Sequence, residues 1–257
     1  MSAPERTVAK KALRLAEHLM QAHKRKIVDP LITTAAVLVA KRFRAQRRAL
    51  DAPLDQIKGM LPESNRMARA TPLAATLAIQ LAFRDFSFPM FDDALDSATR
   101  EAFDGGWGIA AEQIGVGYPP PDRQFNELVS DEMDATTKTA LTNAMADVFK
   151  GGLAFSALVT AVDAIFKDAV ENRAPMIAST EIASAFNSGA AALATAAKNN
   201  WIRVEKAWNA EPDACDICQP NADQGWIDND ESFDSGDHEP PAHPNCRCSS
   251  ELQTAED

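Results

Sequence analysis

The four cysteines of this chain all lie between Cys215 and Cys248, near its C-terminus. Cys215 and Cys218 form a C-x-x-C pair, and after a loop over 219–242 comes the string His243-Pro-Asn-Cys246-Arg-Cys248. Thiolate and imidazole are the ligands that Zn²⁺ prefers, and a C-x-x-C pair can hold one ion from a tight turn. The spacing therefore predicts a structural zinc site, and its candidate ligands are Cys215, Cys218, His243, Cys246 and Cys248.

Two ligand sets are compatible with this spacing. Cys246 and Cys248 are two positions apart, so both point to the same side of an extended segment. One set is Cys215, Cys218, His243 and one member of that pair; the other is all four cysteines, with His243 hydrogen-bonded behind them. Either set fills a tetrahedral shell and leaves no position for water, which favours a structural metal over a hydrolytic one. His238, in the acidic loop, is predicted to be solvated.

Two other uses of the cysteines compete with metal binding. Paired disulfides are uncommon in a reducing cytosol, and the absence of a secretory leader leads us to expect an intracellular protein. Redox catalysis at Cys215 and Cys218 would require a βαβ context, which the sequence pattern does not suggest. Metal binding is therefore the favoured interpretation.

Most of the chain has apolar residues at intervals of three and four, which predicts helices. The expected fold is mainly α with a small C-terminal α+β module. Helix breaks are predicted at Asp29-Pro30, at Gly105-Gly106 and over 172–175, and a helix end at Asn199-Asn200. A helix is also predicted over 73–84, an apolar packing segment over 86–91 and a connector over 117–121. We divide the chain into a helical domain, residues 1–121, whose first two helices are basic, and a second domain, residues 122–257.

The second domain is predicted to contain helices over 122–198, a strand over about 201–208 and the zinc loop over 213–248. Ile202, Val204 and Trp208 recur at period two with β-branched and aromatic side chains. Residues 246–252 alternate in the same way. The two segments are expected to pair as a β-hairpin-like unit that closes the long acidic loop, with the zinc ion joining the ends of that loop.

The net charge of −11 is unevenly distributed along the chain. Residues 1–70 carry 15 Lys and Arg against 6 Asp and Glu, whereas residues 71–257 carry 11 against 31. The basic region, with Lys41, Arg42, Arg44, Arg47 and Arg48, either forms solvated helix faces or meets an acidic surface or nucleic acid. The acidic remainder disfavours DNA binding by the whole protein. The longest mostly apolar run, 31–40, is far shorter than a membrane span requires.

Two strings of the C-terminal region are similar to a known family. Asp213-Ala-Cys215-Asp-Ile-Cys218 and Pro240-Pro241-Ala-His243-Pro244-Asn245-Cys246-Arg247-Cys248 resemble the minor head, or head-morphogenesis, proteins of tailed bacteriophages. This family includes protein F of phage Mu and the minor head protein of phage SPP1. The resemblance covers about residues 153–252 and extends through Trp208 and residues 173–181. In that segment Ser179 stands where the family has arginine.

The resemblance implies a non-enzymatic minor capsid protein of a tailed phage or prophage. Such a protein would act near the portal, in head assembly or in genome packaging and delivery. Its expected partners are the portal, the major capsid protein, or both, and packaged DNA at the basic N-terminal region. It would occupy the virion head, and the host cytoplasm during assembly. Neither a membrane nor a small-molecule substrate is expected.

Two alternatives come from other functional classes. One is a metal-dependent enzyme acting on nucleic acid, such as an injected nuclease or toxin, with Asp228, Asp230 and Asp234 as candidate metal-binding carboxylates. The other is a zinc-ribbon DNA-binding protein. The sequence contains no Walker A loop, dinucleotide-binding glycine motif, H-E-x-x-H helix or G-x-S-x-G elbow. We therefore predict that the chain is not an enzyme.

Overall fold

The computed structural model describes the backbone of residues 3–60, 93–122, 127–150 and 155–255 and the side chains of 21–60, 96–122, 134–148 and 155–255. The helix predicted over 73–84 and the apolar segment over 86–91 lie outside these residues. The helices are α1 (Ala3–Ala49), α2 (Asp51–Met60), α3 (Asp93–Ile114), α4 (Glu127–Lys150), α5 (Phe155–Asp168), a π-helical turn (Ala169–Arg173), α6 (Ala174–Asn199) and α7 (Cys218–Asp223). The strands are β1 (Val204–Asn209), β2 (Ile227–Asp228) and β3 (Ser249–Thr254).

The three strands form one antiparallel sheet in the order β2-β1-β3. Trp208 pairs with Ser250 between β1 and β3, and Lys206 pairs with Ile227 between β1 and β2. This arrangement confirms a mainly α fold with a small C-terminal α+β module. The sheet has a third strand, β2, because the acidic loop itself returns to the free edge of β1. The loop is thus more structured than a simple closed loop, since it also contains α7.

The break predicted at Asp29-Pro30 is wrong, because α1 continues through Pro30 and the region has one long helix instead of two. Proline removes one helical hydrogen bond and normally costs about 3 kcal/mol inside a helix. Here Val28, Leu31 and Ala35 are buried on the same helix, so tertiary packing supports the turn that contains the proline. The local sequence carries the proline signal but not the packing that outweighs it.

The glycine break predicted at Gly105-Gly106 is also wrong, since α3 is continuous from Asp93 to Ile114. A Cβ atom on Gly106 would lie only 1.8 Å from the carbonyl oxygen of Phe186 in α6. A Cβ atom on Gly189 of α6 would lie 2.1 Å from the carbonyl oxygen of Phe103. Gly106 and Gly189 are therefore present because the backbones of α3 and α6 approach closely, not because a helix ends there.

The break predicted over 172–175 is replaced by helical continuation through the π turn. The N–H group of Ala174 bonds to the carbonyl oxygen of Ala169, five residues earlier. Pro175 has no N–H group to donate to the preceding turn, and the wider π turn accommodates it without ending the helix. The chain changes its hydrogen-bonding pattern here and remains helical.

The end of α6 lies at the predicted position, but the residue in the left-handed conformation is different. The N–H groups of Trp201 and Ile202 bond to the carbonyl oxygens of Lys198 and Ala197, at 3.0 and 3.1 Å. This pair of bonds is a Schellman motif, and Trp201 occupies its left-handed position with φ of 64°. The sequence suggests an asparagine for this position, and Asn200 instead precedes it. Trp201 lies before β1, not within it.

The described chain forms two compact units, each assembled from separate segments. The first, which we call the metal-site unit, comprises residues 1–36, 96–125 and 176–257. The second, which we call the helical unit, comprises residues 37–95 and 126–175. The predicted division after residue 121 does not coincide with these units, because α1 contributes its first part to one and its last part to the other.

Each unit has its own apolar core. In the metal-site unit the sheet packs on α3 and α6, with a core of Phe103, Trp107, Ala110, Ile114, Ala190, Leu193, Ala194, Ala197, Val204 and Leu252. In the helical unit the buried side chains include Val39, Phe43, Leu50, Leu54, Ile57, Leu141, Met145, Leu158, Val162 and Phe166. Of the residues predicted to be buried on α1, Val39 and Phe43 are buried, whereas Ile32 and Ala36 are half-buried.

Some of the basic side chains predicted near the end of α1 form ion pairs within the helical unit. Arg42 is buried and bonds to Asp134 at 2.9 Å, and Arg47 bonds to Asp163 at 2.6 Å. Lys41, Arg44 and Arg48 are exposed. Across the parts of the chain that the structure describes, no helix is both long and apolar enough to span a membrane.

Candidate metal centre

The first half of the site is a tight turn that leads into α7. The N–H group of Gln219 donates to the carbonyl oxygen of Cys215 at 3.0 Å, and Cys218 is the first residue of the helix. The N–H groups of Cys218 and Ile217 point at the sulfur of Cys215. These two hydrogen bonds lower the pKa of the Cys215 thiol. The turn thus presents the Cys215 thiol at the surface and the Cys218 thiol in the interior.

The second half is a turn followed by an extended segment. The N–H group of Cys246 donates to the carbonyl oxygen of His243 at 3.1 Å, and Asn245 within this turn has φ of 62°. Residues 246–248 then extend into β3. Cys246 and Cys248 are both buried while Arg247 between them is exposed, in agreement with the alternation expected of an extended segment.

The two halves bring the five predicted residues together. The Nε2 atom of His243 lies 3.2 Å from the sulfur of Cys215 and 3.4 Å from that of Cys218. The sulfurs of Cys218 and Cys246 are 3.6 Å apart. The ligand atoms of Cys215, Cys218 and His243 all lie within 4.8 Å of one another, and so do those of Cys218, Cys246 and Cys248. The two groups share Cys218. The cluster can therefore hold a metal ion.

These distances agree with tetrahedral coordination. Metal–sulfur bonds of about 2.3 Å and metal–nitrogen bonds of about 2.0–2.1 Å place neighbouring ligand atoms about 3.5–3.8 Å apart. The three distances just given, 3.2–3.6 Å, are close to those edges. All four cysteines are free thiols, so no disulfide competes for the sulfur atoms.

His243 is oriented for coordination through Nε2. Its Nδ1 atom lies 2.9 Å from the carbonyl oxygen of Pro244, which accepts a hydrogen bond from the Nδ1–H group. That bond fixes the tautomer in which Nε2 carries the lone pair, and Nε2 is the atom that faces the cysteines. The same hydrogen bond to the Pro244 carbonyl raises the pKa of His243.

The four thiols differ in their tendency to ionise. Burial, followed by the nearby negative charge of Cys248, raises the pKa of Cys218 to about 12. The hydrogen bond that Cys246 donates to Cys248 raises the pKa of Cys246 and lowers that of Cys248 to about 5. Without a cation, four thiolates in so small a volume would repel one another. A divalent cation bound here would supply the charge that allows the remaining thiols to ionise.

A small apolar cluster surrounds the buried cysteines. Trp208 and Phe233 pack edge to face with ring centroids 5.0 Å apart, and both contact the cluster of Cys218, Cys246 and Cys248. The Nε1–H group of Trp208 is buried, and among the described residues it makes no hydrogen bond of normal geometry. It lies toward the Cys248 sulfur, and it lowers the pKa of Cys248 after two larger causes, the Cys246 thiol and the backbone N–H group of Glu211. An indole donor beside these sulfurs favours their ionised, metal-binding form.

Other predicted polar residues of the loop take no part in the cluster. His238 is exposed, and its Nε2 atom lies 3.3 Å from the hydroxyl of Ser232. Asp230 forms an ion pair with Lys198, while Asp228 accepts a hydrogen bond from the N–H group of Asp230. Among the described residues, Asp228, Asp230 and Asp234 belong to no group that could hold a metal ion.

Helix α6 supports the second half of the site through two side chains that the sequence analysis does not identify. Asn187 is fully buried and bonds to the backbone on both sides of Ser249. Thr180 accepts a hydrogen bond from the N–H group of Asn245 at 2.8 Å. The only signal for Asn187 in the sequence is an amide among the alanines of an apolar helix face.

Comparison with protein-family models, with curated proteins and with solved structures finds no match to this chain.

Proposed function

We propose that this chain is a non-enzymatic minor capsid, or head-morphogenesis, protein of a tailed phage or prophage, and that its C-terminal module holds a structural Zn²⁺ ion. The main support is that the residues of the two family-like strings are the ones that converge. Cys215 and Cys218 meet His243 and Cys246 with ligand atoms 3.2–3.6 Å apart, and Cys248 lies in the same cluster. A resemblance confined to letters would not require this convergence.

Zinc is the metal that this donor set favours. Thiols and an imidazole are poor ligands for the oxygen-preferring ions Mg²⁺ and Ca²⁺, and zinc is the common intracellular metal for such shells. Cys215, Cys218 and His243 would hold the ion together with Cys246 or Cys248. The bound ion would supply cross-linking energy to the acidic loop, and the closed shell would leave no position for a reactive water.

The surroundings of the site favour assembly over catalysis. Asn187 and Thr180 of α6 support the ligand loop through hydrogen bonds to its backbone. Trp208 packs against the cysteine sulfurs. The carboxylates considered for a nuclease are exposed and separate from the cluster. A module built in this way is suited to act as a rigid docking unit for another protein.

The basic end of α1 offers a second contact region. Lys41, Arg44 and Arg48 are exposed there, whereas Arg42 is buried and Arg47 is half-buried. We infer that the three exposed cations face packaged DNA or an acidic surface of the portal or major capsid protein. Because Arg47 also bonds to Asp163 within the helical unit, a charge-reversal test of this face should use Lys41, Arg44 and Arg48.

The test is to purify intact phage particles and locate the chain by crosslinking with mass spectrometry and by imaging. We expect a low copy number in the head, crosslinks to the portal or to the major capsid protein, and about one zinc ion per chain in the reduced protein. Absence from particles would contradict the proposal. Cleavage of DNA by the purified protein in added Mg²⁺ would contradict it too and would favour the enzyme alternative.

A further inference from the structure

A buried lysine of α1 lies directly behind the ligand loop. Lys24 is only 6% exposed, and its ammonium group donates hydrogen bonds to the carbonyl oxygen of Arg247 and to the carboxylate of Glu211. Arg247 is the residue between Cys246 and Cys248. Glu211 lies just after β1 and four residues before Cys215. One side chain therefore connects the two chain segments that carry the ligands.

The burial of this ammonium group is compensated by specific partners. Glu211 is also buried, and it lies 3.4 Å from Lys24 and 2.7 Å from Arg25. Burial lowers the pKa of Lys24, and the Glu211 carboxylate opposes that shift. Burying an ion pair costs free energy unless hydrogen bonds compensate it, so such a pair is weak evidence for stability as such. A role in holding the Arg247 peptide accounts better for its position.

The Arg247 carbonyl controls how the two neighbouring cysteines are presented. In an extended segment, the orientation of the central peptide fixes the side to which residues i and i+2 point. Lys24 holds that carbonyl on the α1 side. Asn187 holds the next carbonyl, that of Cys248, from α6 at 3.2 Å. The ligand segment is thus held from two helices.

We propose that Lys24 is a positioning residue of the metal centre, and that docking of residues 21–36 of α1 and loading of the metal stabilise each other. This inference rests on the proposed zinc site. By linkage, whatever metal binding gains from a docked α1, α1 docking gains from bound metal. Gln21 belongs to the same contact, since its side-chain amide donates to the side chain of Asn209 at 2.6 Å.

The test compares Lys24→Met with Lys26→Met in the full-length chain. Lys26 is an exposed lysine two residues away on the same helix, so it controls for loss of one positive charge. Transfer of zinc from the reduced protein to a chromophoric chelator would be followed in time. We expect release about tenfold faster from Lys24→Met, the lower end of what loss of a group that supports metal ligands costs in affinity, and unchanged release from Lys26→Met. Equal release rates for wild type and Lys24→Met would overturn the proposal.

A second measurement uses the wild-type protein and does not depend on a variant that folds. Hydrogen exchange would be measured with zinc bound and after zinc is removed by a chelator. We expect amides of residues 24–36 to lose protection on zinc removal, while amides of α4 and α5 in the helical unit keep theirs. Unchanged protection of residues 24–36 would overturn the coupling.

The two proposals fail in different ways. If wild type binds zinc stoichiometrically but Lys24→Met releases it at the wild-type rate, the zinc site stands and the role of Lys24 is wrong. If wild type binds no zinc, the structural metal of the proposed function is wrong, and the inference is overturned with it. Lys24→Gln is a second variant, which keeps a hydrogen-bond donor but loses the length and the charge of lysine. We expect it also to release zinc faster than wild type, and release at the wild-type rate would contradict the role of Lys24.

Discussion

The side-chain amide of Asn187 donates a hydrogen bond to the backbone carbonyl of Cys248 at 3.2 Å. The same side chain accepts a hydrogen bond from the N–H group of Ser250 at 2.9 Å. Asn187 is fully buried in the middle of α6. It therefore satisfies two backbone groups at the point where the ligand segment becomes β3. Buried backbone groups need such partners, because leaving one unpaired costs free energy.

We expect Asn187→Ala to lower the free energy of unfolding by about 3 kcal/mol, because the buried carbonyl of Cys248 and the partly buried N–H group of Ser250 lose these hydrogen bonds. Urea unfolding of the purified protein measures this. Asn172→Ala is the matched control, since Asn172 is exposed and bonds to the side chain of Asp168 on the helix surface. That variant should lie within about 0.5 kcal/mol of wild type. A similar small effect for Asn187→Ala would contradict the supporting role.

Replacement of a shared ligand should abolish metal binding. Cys218 belongs to both groups of ligand atoms, so Cys218→Ser is expected to leave less than stoichiometric zinc and a C-terminal module that no longer folds. Zinc contributes on the order of 10 kcal/mol to small modules of this kind. Elemental analysis measures the loss of zinc, and near-UV circular dichroism of the tryptophans, of which Trp201, Trp208 and Trp226 lie in this module, measures the loss of its fold. His238→Ala, an exposed histidine of the same loop, should retain both zinc and the spectrum.

The close approach of α3 and α6 predicts opposite outcomes for two glycines of one helix. Gly106→Ala places a methyl group 1.8 Å from the carbonyl oxygen of Phe186, so the two backbones must separate. We expect a loss of about 3 kcal/mol or more in unfolding free energy. Gly108 has nothing within 4 Å of its Cβ position, and Gly108→Ala should stabilise by about 0.5–1 kcal/mol through helix propensity. Equal effects in thermal unfolding would mean that the helices are farther apart.

Lys206 gives a pH-dependent prediction. Burial lowers its pKa below 10.5, its ordinary value, although its ammonium group donates to the carbonyl of His238 at 2.8 Å. Between the lowered pKa and 10.5 the unfolded chain binds more protons than the folded one, so this residue's contribution to stability rises with pH. The difference in unfolding free energy between Lys206→Met and wild type should therefore shift in favour of wild type from about pH 7 to about pH 10. Urea unfolding of both proteins at a series of pH values measures it.

The sequence predicts the metal cluster well because its signal is local. The spacing of Cys215 and Cys218, and of Cys246 and Cys248, fixes which side chains can meet on one turn or one extended segment. The pairing of β1 with β3 follows from alternation of apolar residues. Lys24 and Asn187 could not be found in this way, because their partners lie 223 and 61 residues away along the chain.

The helix breaks are predicted less well, and for one physical reason. Pro30, Gly105 and Gly106 are signals of local backbone preference, each worth about 1–3 kcal/mol in a helix. Burial of several apolar side chains on the same helix exceeds that preference. Gly106 even has the opposite meaning here, since its missing side chain permits contact with α6. Such residues are ambiguous until the packing partner is known.

The metal-site unit is assembled from the first, middle and last parts of the chain, residues 1–36, 96–125 and 176–257. During synthesis, residues 21–36 of α1 therefore leave the ribosome long before the segment that carries Cys215 and Cys248. The hydrogen bonds of Lys24 to Glu211 and to the Arg247 carbonyl can form only after those residues have been translated. A chain that ends before them would leave the Lys24 ammonium group without these two partners.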